Sequence, residues 1–189
     1  MRFFKEILRA PHITGAIAPS SPFLANVVID HAAVAEADRI LELGPGTGVM
    51  TRRILEKKKA DARFVAIEKN ENFVPGLRQS FPAATVVPGD ASELRRHATE
   101  LEVAPADSIV SGLPWAIFPL DLQRMILAEI HGTLADDGTF VTFAYWGTHW
   151  LPAGQSFRQL LKSQFPVVRT SQVVLANFPP AFVYYCRKA

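Results

Sequence analysis

From Arg39 onward, short runs of apolar and β-branched residues alternate with longer stretches whose apolar positions recur every three to four residues. Arg39–Leu43 leads into Met50–Lys58, Arg63–Ile67 into Phe73–Ser80, and Thr85–Val87 into Ala91–Leu101. Each pair predicts a strand followed by a helix, since a short unbroken apolar run suits a strand covered on both faces and the longer spacing suits an amphipathic helix. Ser108–Ser111, a helix over Leu120–Leu134 and Thr139–Ala144 continue the series, which predicts an α/β domain built on a parallel sheet of βαβ units. The last two runs, Ser171–Leu175 and Phe182–Cys186, flank residues 176–181, where Asn177, Pro179 and Pro180 predict a hairpin turn. The final strand is therefore expected to run antiparallel to the rest. Upstream of Arg39 the pattern changes to a short amphipathic stretch, a linker broken by Pro and Gly from Pro11 to Pro19, and a helix capped by Ser20 or Ser21 with Pro22 in its first turn. The expected division is residues 1–21 as amphipathic helix and linker, and residues 22–189 as one domain.

Length and composition agree with that division: 189 residues, 49% hydrophobic and 20% charged, supply a packed core for a single domain. Cys186 is the only cysteine and no Cys/His cluster has metal-ligand spacing, so neither a disulfide framework nor a metal site is expected. No stretch of 18 or more apolar residues predicts a membrane span, and Pro11, His12 and Pro19 break any signal-peptide core. A cytoplasmic location is expected. Net charge is only +2, yet its distribution is uneven. Residues 1–9 carry Arg2, Lys5 and Arg9 against Glu6, and residues 138–189 carry Arg158, Lys162, Arg169, Arg187 and Lys188 with no acid at all. Basic ends on an acidic middle predict an anionic partner.

The first chemistry becomes readable at Glu42-Leu43-Gly44-Pro45-Gly46-Thr47-Gly48, between a predicted buried strand and a helix. Glycines there let the backbone turn sharply and let a ligand approach without a Cβ in the way. The glycine spacing differs from the dinucleotide fingerprint, and no Lys-Ser/Thr follows to make a phosphate loop. An acid just before the glycines suits a cationic ligand. Glu68, with Lys69 after it, ends the second strand, where a carboxylate can accept both hydroxyls of a ribose, and Asp90, followed by Ala91, lies after the third, where it can accept from an adenine amino group.

These residues resemble the class I S-adenosylmethionine-dependent methyltransferases, whose loop polyamine synthases share. The resemblance implies a Rossmann-like seven-stranded sheet, parallel but for an antiparallel last strand, with S-adenosylmethionine as cofactor and S-adenosylhomocysteine as product. It implies that Glu42 meets the methionine ammonium directly or through water, that Gly44, Pro45, Gly46, Thr47 and Gly48 cradle the carboxypropyl part, that Glu68 and Lys69 lie at the ribose, and that Asp90 and Ala91 lie at the adenine. Ser111-Gly112-Leu113-Pro114-Trp115, after the fourth strand, is similar to the Asn-Leu-Pro-aromatic signature of ribosomal RNA adenine dimethyltransferases. It lacks the Asn that would accept from a planar amine, and no helical module like theirs is expected after Ala189. Ser111, Gly112 and Leu113 are nevertheless expected at the cofactor.

The chain also carries two basic amphipathic stretches. Phe3, Phe4, Ile7 and Leu8 share one arc opposite Arg2, Lys5 and Arg9, while Phe157, Leu160, Leu161 and Phe165 share another, flanked by Arg158 and Lys162. Both suit a membrane interface. With Gly15-Ala16-Ile17-Ala18-Pro19-Ser20-Ser21 added, the whole chain resembles the bacterial phospholipid N-methyltransferases. That resemblance implies transfer of methyl groups to phosphatidylethanolamine and its mono- and dimethylated forms, towards phosphatidylcholine, by a peripheral enzyme at the inner face of the cytoplasmic membrane. A related group that acts on ornithine lipids shares the motif. Its partners would be anionic lipids and no nucleic acid, and the chain would be a monomer. His149 or Tyr145 would take the amine's proton, and Trp115, Tyr145 and Trp146 would line an aromatic box for the methylammonium. Two alternatives stay open: an RNA adenine or small-molecule N-methyltransferase, and a non-catalytic membrane-binding module.

Overall fold

A computed structural model of the chain describes residues 20–188. The amphipathic stretch with Arg2, Phe3, Phe4, Lys5, Ile7, Leu8 and Arg9, and the linker that follows it to Pro19, lie outside the described residues.

Helix α1 (Pro22–His31) starts where the Ser21 hydroxyl accepts from the Leu24 amide at 3.2 Å. The Ser21 amide donates to the Asn177 side chain at 2.8 Å, which ties this helix to the far end of the chain. The βα alternation then runs as expected: β1 (Arg39–Leu43), α2 (Val49–Lys57), β2 (Arg63–Glu68), α3 (Val74–Ser80), β3 (Thr85–Pro88), a single 3-10 turn at Ala91–Glu93 continued by α4 (Leu94–Glu100), β4 (Ala106–Ser111), α5 (Leu120–Thr133) and β5 (Leu134–Tyr145). Then come α6 (Pro152–Gln164), β6 (Val167–Thr170) and β7 (Ala181–Arg187). The seven strands form one sheet in the order β3-β2-β1-β4-β5-β7-β6, parallel from β3 to β5, with β7 antiparallel to both β5 and β6.

Parallel strands are covered on both faces, so neighbouring residues of one strand enter opposite layers. Ile40, Val110 and Val141 point to the layer of α1, α2 and α3, with Leu24, Ile54 and Leu77. Leu41, Ile109 and Phe140 point to the layer of α4, α5 and α6, with Leu94, Ile130 and Leu161. No helix among the described residues is long and apolar enough to cross a membrane.

Two expectations are corrected. The sixth strand is Val167–Thr170, four residues before the expected Ser171–Leu175, which meets the sheet through Ser171, bonded to Val183, and through an isolated bridge between Val174 and Ala181. Ser171 explains the shift: its hydroxyl accepts from the Val183 amide at 3.0 Å, so a side chain takes the place of the next ladder acceptor. The second amphipathic stretch is a helix, α6, but Phe157 and Leu161 are buried, and Phe157 stacks on Trp115 with ring centroids 5.0 Å apart. Their apolar surface is used inside the domain, so the membrane contact expected of them is replaced by core packing. Arg158 and Lys162 remain on its exposed face.

Candidate cofactor and acceptor site

In the strand order the direction of succession reverses between β1 and β4, and a crevice opens outside the carboxyl ends of strands at such a point. Here the crevice is a cavity of about 590 Å³. The loop after β1 forms one wall with Gly44, Pro45, Gly46 and Thr47. Gly44, Gly46 and Gly48 all have positive φ, which folds the loop back over the end of the strand before α2 begins. Gly48 itself lies off the wall, packed against Phe81. The loop after β4 forms the opposite wall through Gly112, Leu113, Pro114 and Trp115, its position fixed by the Gly112 amide donating to the Leu43 carbonyl at 2.8 Å.

Glu68 ends β2 on this wall, and its carboxylate accepts from the amides of Gly46 at 3.0 Å and Asn70 at 2.8 Å. Each oxygen keeps a lone pair for a ligand hydroxyl. Lys69 also lines the cavity and forms an ion pair with Asp90 at 2.7 Å. Asp90 accepts from the amide and hydroxyl of Ser92 as well, both at 2.9 Å. Partial burial pushes its carboxyl up, but the bonds from Lys69 and Ser92 outweigh that and hold it below the usual carboxylate range. Neither Asp90 nor Ala91 stands on the cavity wall.

Glu42 is buried behind the loop, off the wall, where it accepts from the Thr51 hydroxyl at 2.7 Å. A direct contact from Glu42 to a ligand in the cavity is thereby replaced by a position one layer back. Burial, with some help from the Glu68 charge, raises its pKa to about 8. The unfolded group, at 4.5, releases a proton that the folded one keeps, so unfolding sheds a proton between those values and stability falls as pH rises through that window. Glu42→Gln is therefore expected to flatten the pH dependence of the melting temperature between about pH 5 and pH 9, with the variant gaining on the wild type at the alkaline end. Parallel melting profiles would mean that Glu42 ionises freely.

Beyond the loops the cavity changes character. Phe118, Phe143, Tyr145, Phe157 and Tyr184 line it together with His149, and among the described residues Glu68 and Lys69 are the only Asp, Glu, Lys or Arg side chains on the wall. His149 Nδ1 is buried and has no hydrogen-bond partner among the described residues. Trp115 is on the wall, but its indole N–H donates to the hydroxyls of Ser111 (3.2 Å) and Thr142 (3.0 Å), so the ring is fixed between the loop and β5. Ser111 is fully buried off the wall, and its hydroxyl also accepts from the Leu113 amide. Trp146, expected in an aromatic box, instead lies outside the cavity with its edge on Trp150. The sequence reading missed Asn70, Phe73, Phe143 and Tyr184 as wall residues. Only the position of Phe143, near the end of a predicted strand, carried any signal of it.

Comparison with known proteins adds four findings. The family described as ribosomal RNA adenine dimethylase matches residues 20–97. An ornithine lipid N-methyltransferase of Singulisphaera acidiphila is 32% identical over 177 residues, which is 91% of this chain and 87% of that protein. A ribosomal RNA small subunit methyltransferase A of Anaplasma marginale is 32% identical over 108 residues, and the match spans only 38% of that relative's length. In fold, the chain is similar to the crystal structure of an O-methyltransferase from Bacillus cereus in complex with S-adenosylhomocysteine, with a TM-score of 0.69 and 14% identity over 99% of this chain and 89% of that one.

Proposed function

This chain belongs to the class I S-adenosylmethionine-dependent methyltransferases, in the family of the S. acidiphila ornithine lipid N-methyltransferase, and from that premise we propose that it methylates the amino headgroup of phosphatidylethanolamine, and then of its mono- and dimethylated forms, towards phosphatidylcholine. The observation that carries this reading is the two-part cavity: a glycine loop and carboxylate at one end, and an aromatic chamber without charged side chains among the described residues at the other. The chamber suits an aliphatic amine better than a planar base. The one side-chain acceptor where an Asn would be expected for adenine, the Ser111 hydroxyl, is already engaged by Leu113 and Trp115.

The residues present fit the cofactor. At Gly46 a side chain would project into open cavity, so the loop offers bare backbone there, and Glu68 faces the same space. In this reading Gly44, Pro45, Gly46 and Thr47 hold the carboxypropyl part, Glu68 accepts from the ribose hydroxyls, and Glu42 acts on the ammonium through water. Asp90, beside Ala91, would accept from the adenine amino group in exchange for its present partner Lys69. That exchange costs little, because the Lys69 side chain is 77% exposed and such ion pairs are worth about 0–1 kcal/mol. S-adenosylmethionine supplies an electrophilic methyl group on a sulfonium. The chain's own work is to align the amine, exclude water and remove a proton. Leu113 and Pro114 close the chamber on one side, and Tyr145, Phe143 and Tyr184 hold the developing methylammonium by cation–π attraction of about 0.5–2 kcal/mol per contact.

His149, on the cavity wall, accepts the ammonium proton at a ring nitrogen. His149→Phe is expected to lower kcat at least tenfold, by the loss of a positioned base, while calorimetry shows unchanged affinity for S-adenosylhomocysteine. An unchanged kcat would pass the proton to Tyr145 or to solvent. The chain acts as a monomer at the inner face of the cytoplasmic membrane, with Arg2, Phe3, Phe4, Lys5, Ile7, Leu8 and Arg9 on anionic lipid.

The deciding experiment supplies methyl-labelled cofactor with vesicles of phosphatidylethanolamine, vesicles of ornithine lipid, or ribosomal RNA. Label in the phosphatidylethanolamine headgroup is expected. Label only in ornithine lipid would reassign the headgroup, and label in RNA would overturn the lipid reading.

A further inference from the structure

Large apolar side chains stand exposed beyond the carboxyl end of β5: Trp146 (45%), Trp150 (62%) and Leu151 (44%), and, on the segment before β7, Leu175 (77%) near Phe178 (76%). They belong to one surface. The two indoles meet edge to face at 5.4 Å, Leu151 follows Trp150 directly, and the Trp146 amide donates to the Pro180 carbonyl at 2.7 Å, which joins the pair to the segment that carries Leu175. His149, between the two tryptophans, packs on Trp150 at 4.4 Å and lines the cavity, so this surface borders the cavity mouth.

An apolar cluster of this kind, left exposed, marks an interaction site. Its composition and surroundings select the partner. Tryptophan, with a large apolar ring and one N–H, settles at the boundary between headgroups and acyl chains. No Asp or Glu occurs between residues 138 and 189, while α6, which starts directly after Leu151, carries exposed Arg158 and Lys162. Ser20, the first described residue after the basic amphipathic pattern of the sequence, lies on the cavity wall. An apolar tip that leads into a basic helix, on a stretch of chain without acids, complements an anionic bilayer.

We propose that Trp146, Trp150, Leu151 and Leu175 form an insertion rim that seats the cavity mouth in the interfacial layer of an anionic membrane. The inference rests on the lipid-methyltransferase reading, and it gives that reading a route: the headgroup amine enters the aromatic chamber while its acyl chains stay in the bilayer.

The test uses the full chain and vesicles of phosphatidylcholine, phosphatidylglycerol and phosphatidylethanolamine, with or without bromine on the acyl chains. Brominated lipid is expected to quench the tryptophan fluorescence of the wild type but not that of Trp146→Phe/Trp150→Phe, which keeps only the buried Trp115. Leu151→Ser/Leu175→Ser is expected to methylate vesicle lipid at least tenfold more slowly, yet to act normally on short-chain phosphatidylethanolamine below its micelle concentration. Absence of quenching, or full activity of the serine variant on vesicles, would overturn the rim, as would a wild-type dimer that the serine substitutions dissolve. Quenching without methylation of phosphatidylethanolamine in either form would keep the rim and reject the substrate.

Discussion

Gly46→Val is expected to abolish binding of S-adenosylhomocysteine while the fold survives. Gly46 has φ +55°, and a Cβ built there meets nothing within 4 Å, so both methyl groups of a valine would stand in the cavity where the ligand backbone must lie. The left-handed backbone adds about 1–2 kcal/mol of strain for any residue with a Cβ. That strain alone lowers stability a little; the occupied space removes affinity. Gly48, two positions on, reverses the balance. It also has positive φ, but its Cβ would sit 2.2 Å from a ring carbon of Phe81, so Gly48→Val forces core displacement that costs about 1–3 kcal/mol more. Calorimetry with S-adenosylhomocysteine and thermal denaturation separate the two: Gly46→Val loses binding with near-native melting, and Gly48→Val melts early. Wild-type affinity in Gly46→Val would mean that the ligand does not pass over this loop.

The difference between these two glycines was not legible in the sequence, which showed only a glycine-rich turn between a strand and a helix. What was legible is what local pattern determines. Runs such as Arg39–Leu43 and Arg63–Ile67 are mostly apolar because both faces of a parallel strand are buried. What was not legible depends on contacts distant in the chain. Phe157 and Leu161 present the same amphipathic signal whether the apolar face meets lipid or Trp115, and only the packing of α6 decides it. Glu42 reads as a ligand-facing acid until Thr51, nine residues on, takes its carboxyl. Ser171–Leu175 has the composition of a strand, but a serine hydroxyl ends the ladder before it. Trp146 and Trp150 sit one turn past a strand, and nothing in their spacing tells an aromatic box from an exposed rim.

The second large effect is expected at Glu68. Its carboxylate has two duties: it accepts from the amides of Gly46 and Asn70, which draws the glycine loop and the end of β2 together, and it faces the cavity where ribose hydroxyls are to be bound. Glu68→Ala removes two ligand hydrogen bonds to a charged acceptor, each worth about 1.5–3 kcal/mol, and leaves the two amides without their partner. A loss of about 3 kcal/mol already corresponds to more than a hundredfold in the dissociation constant, and the loosened loop adds to it. Glu68→Gln separates the duties. Its amide oxygen can accept from one backbone N–H but carries no charge and offers fewer lone pairs, so the loop is expected to keep its shape while affinity falls by about tenfold. Calorimetry with S-adenosylhomocysteine should rank wild type, Gln and Ala in that order, and hydrogen exchange at the Gly46 and Asn70 amides should rise in the Ala variant more than in the Gln one. Equal affinity across the three would place the ribose away from β2. Fast exchange with unchanged affinity would leave Glu68 as a loop anchor alone, because the two amide bonds and the hydroxyl bonds use the same carboxylate and only the second set includes the ligand.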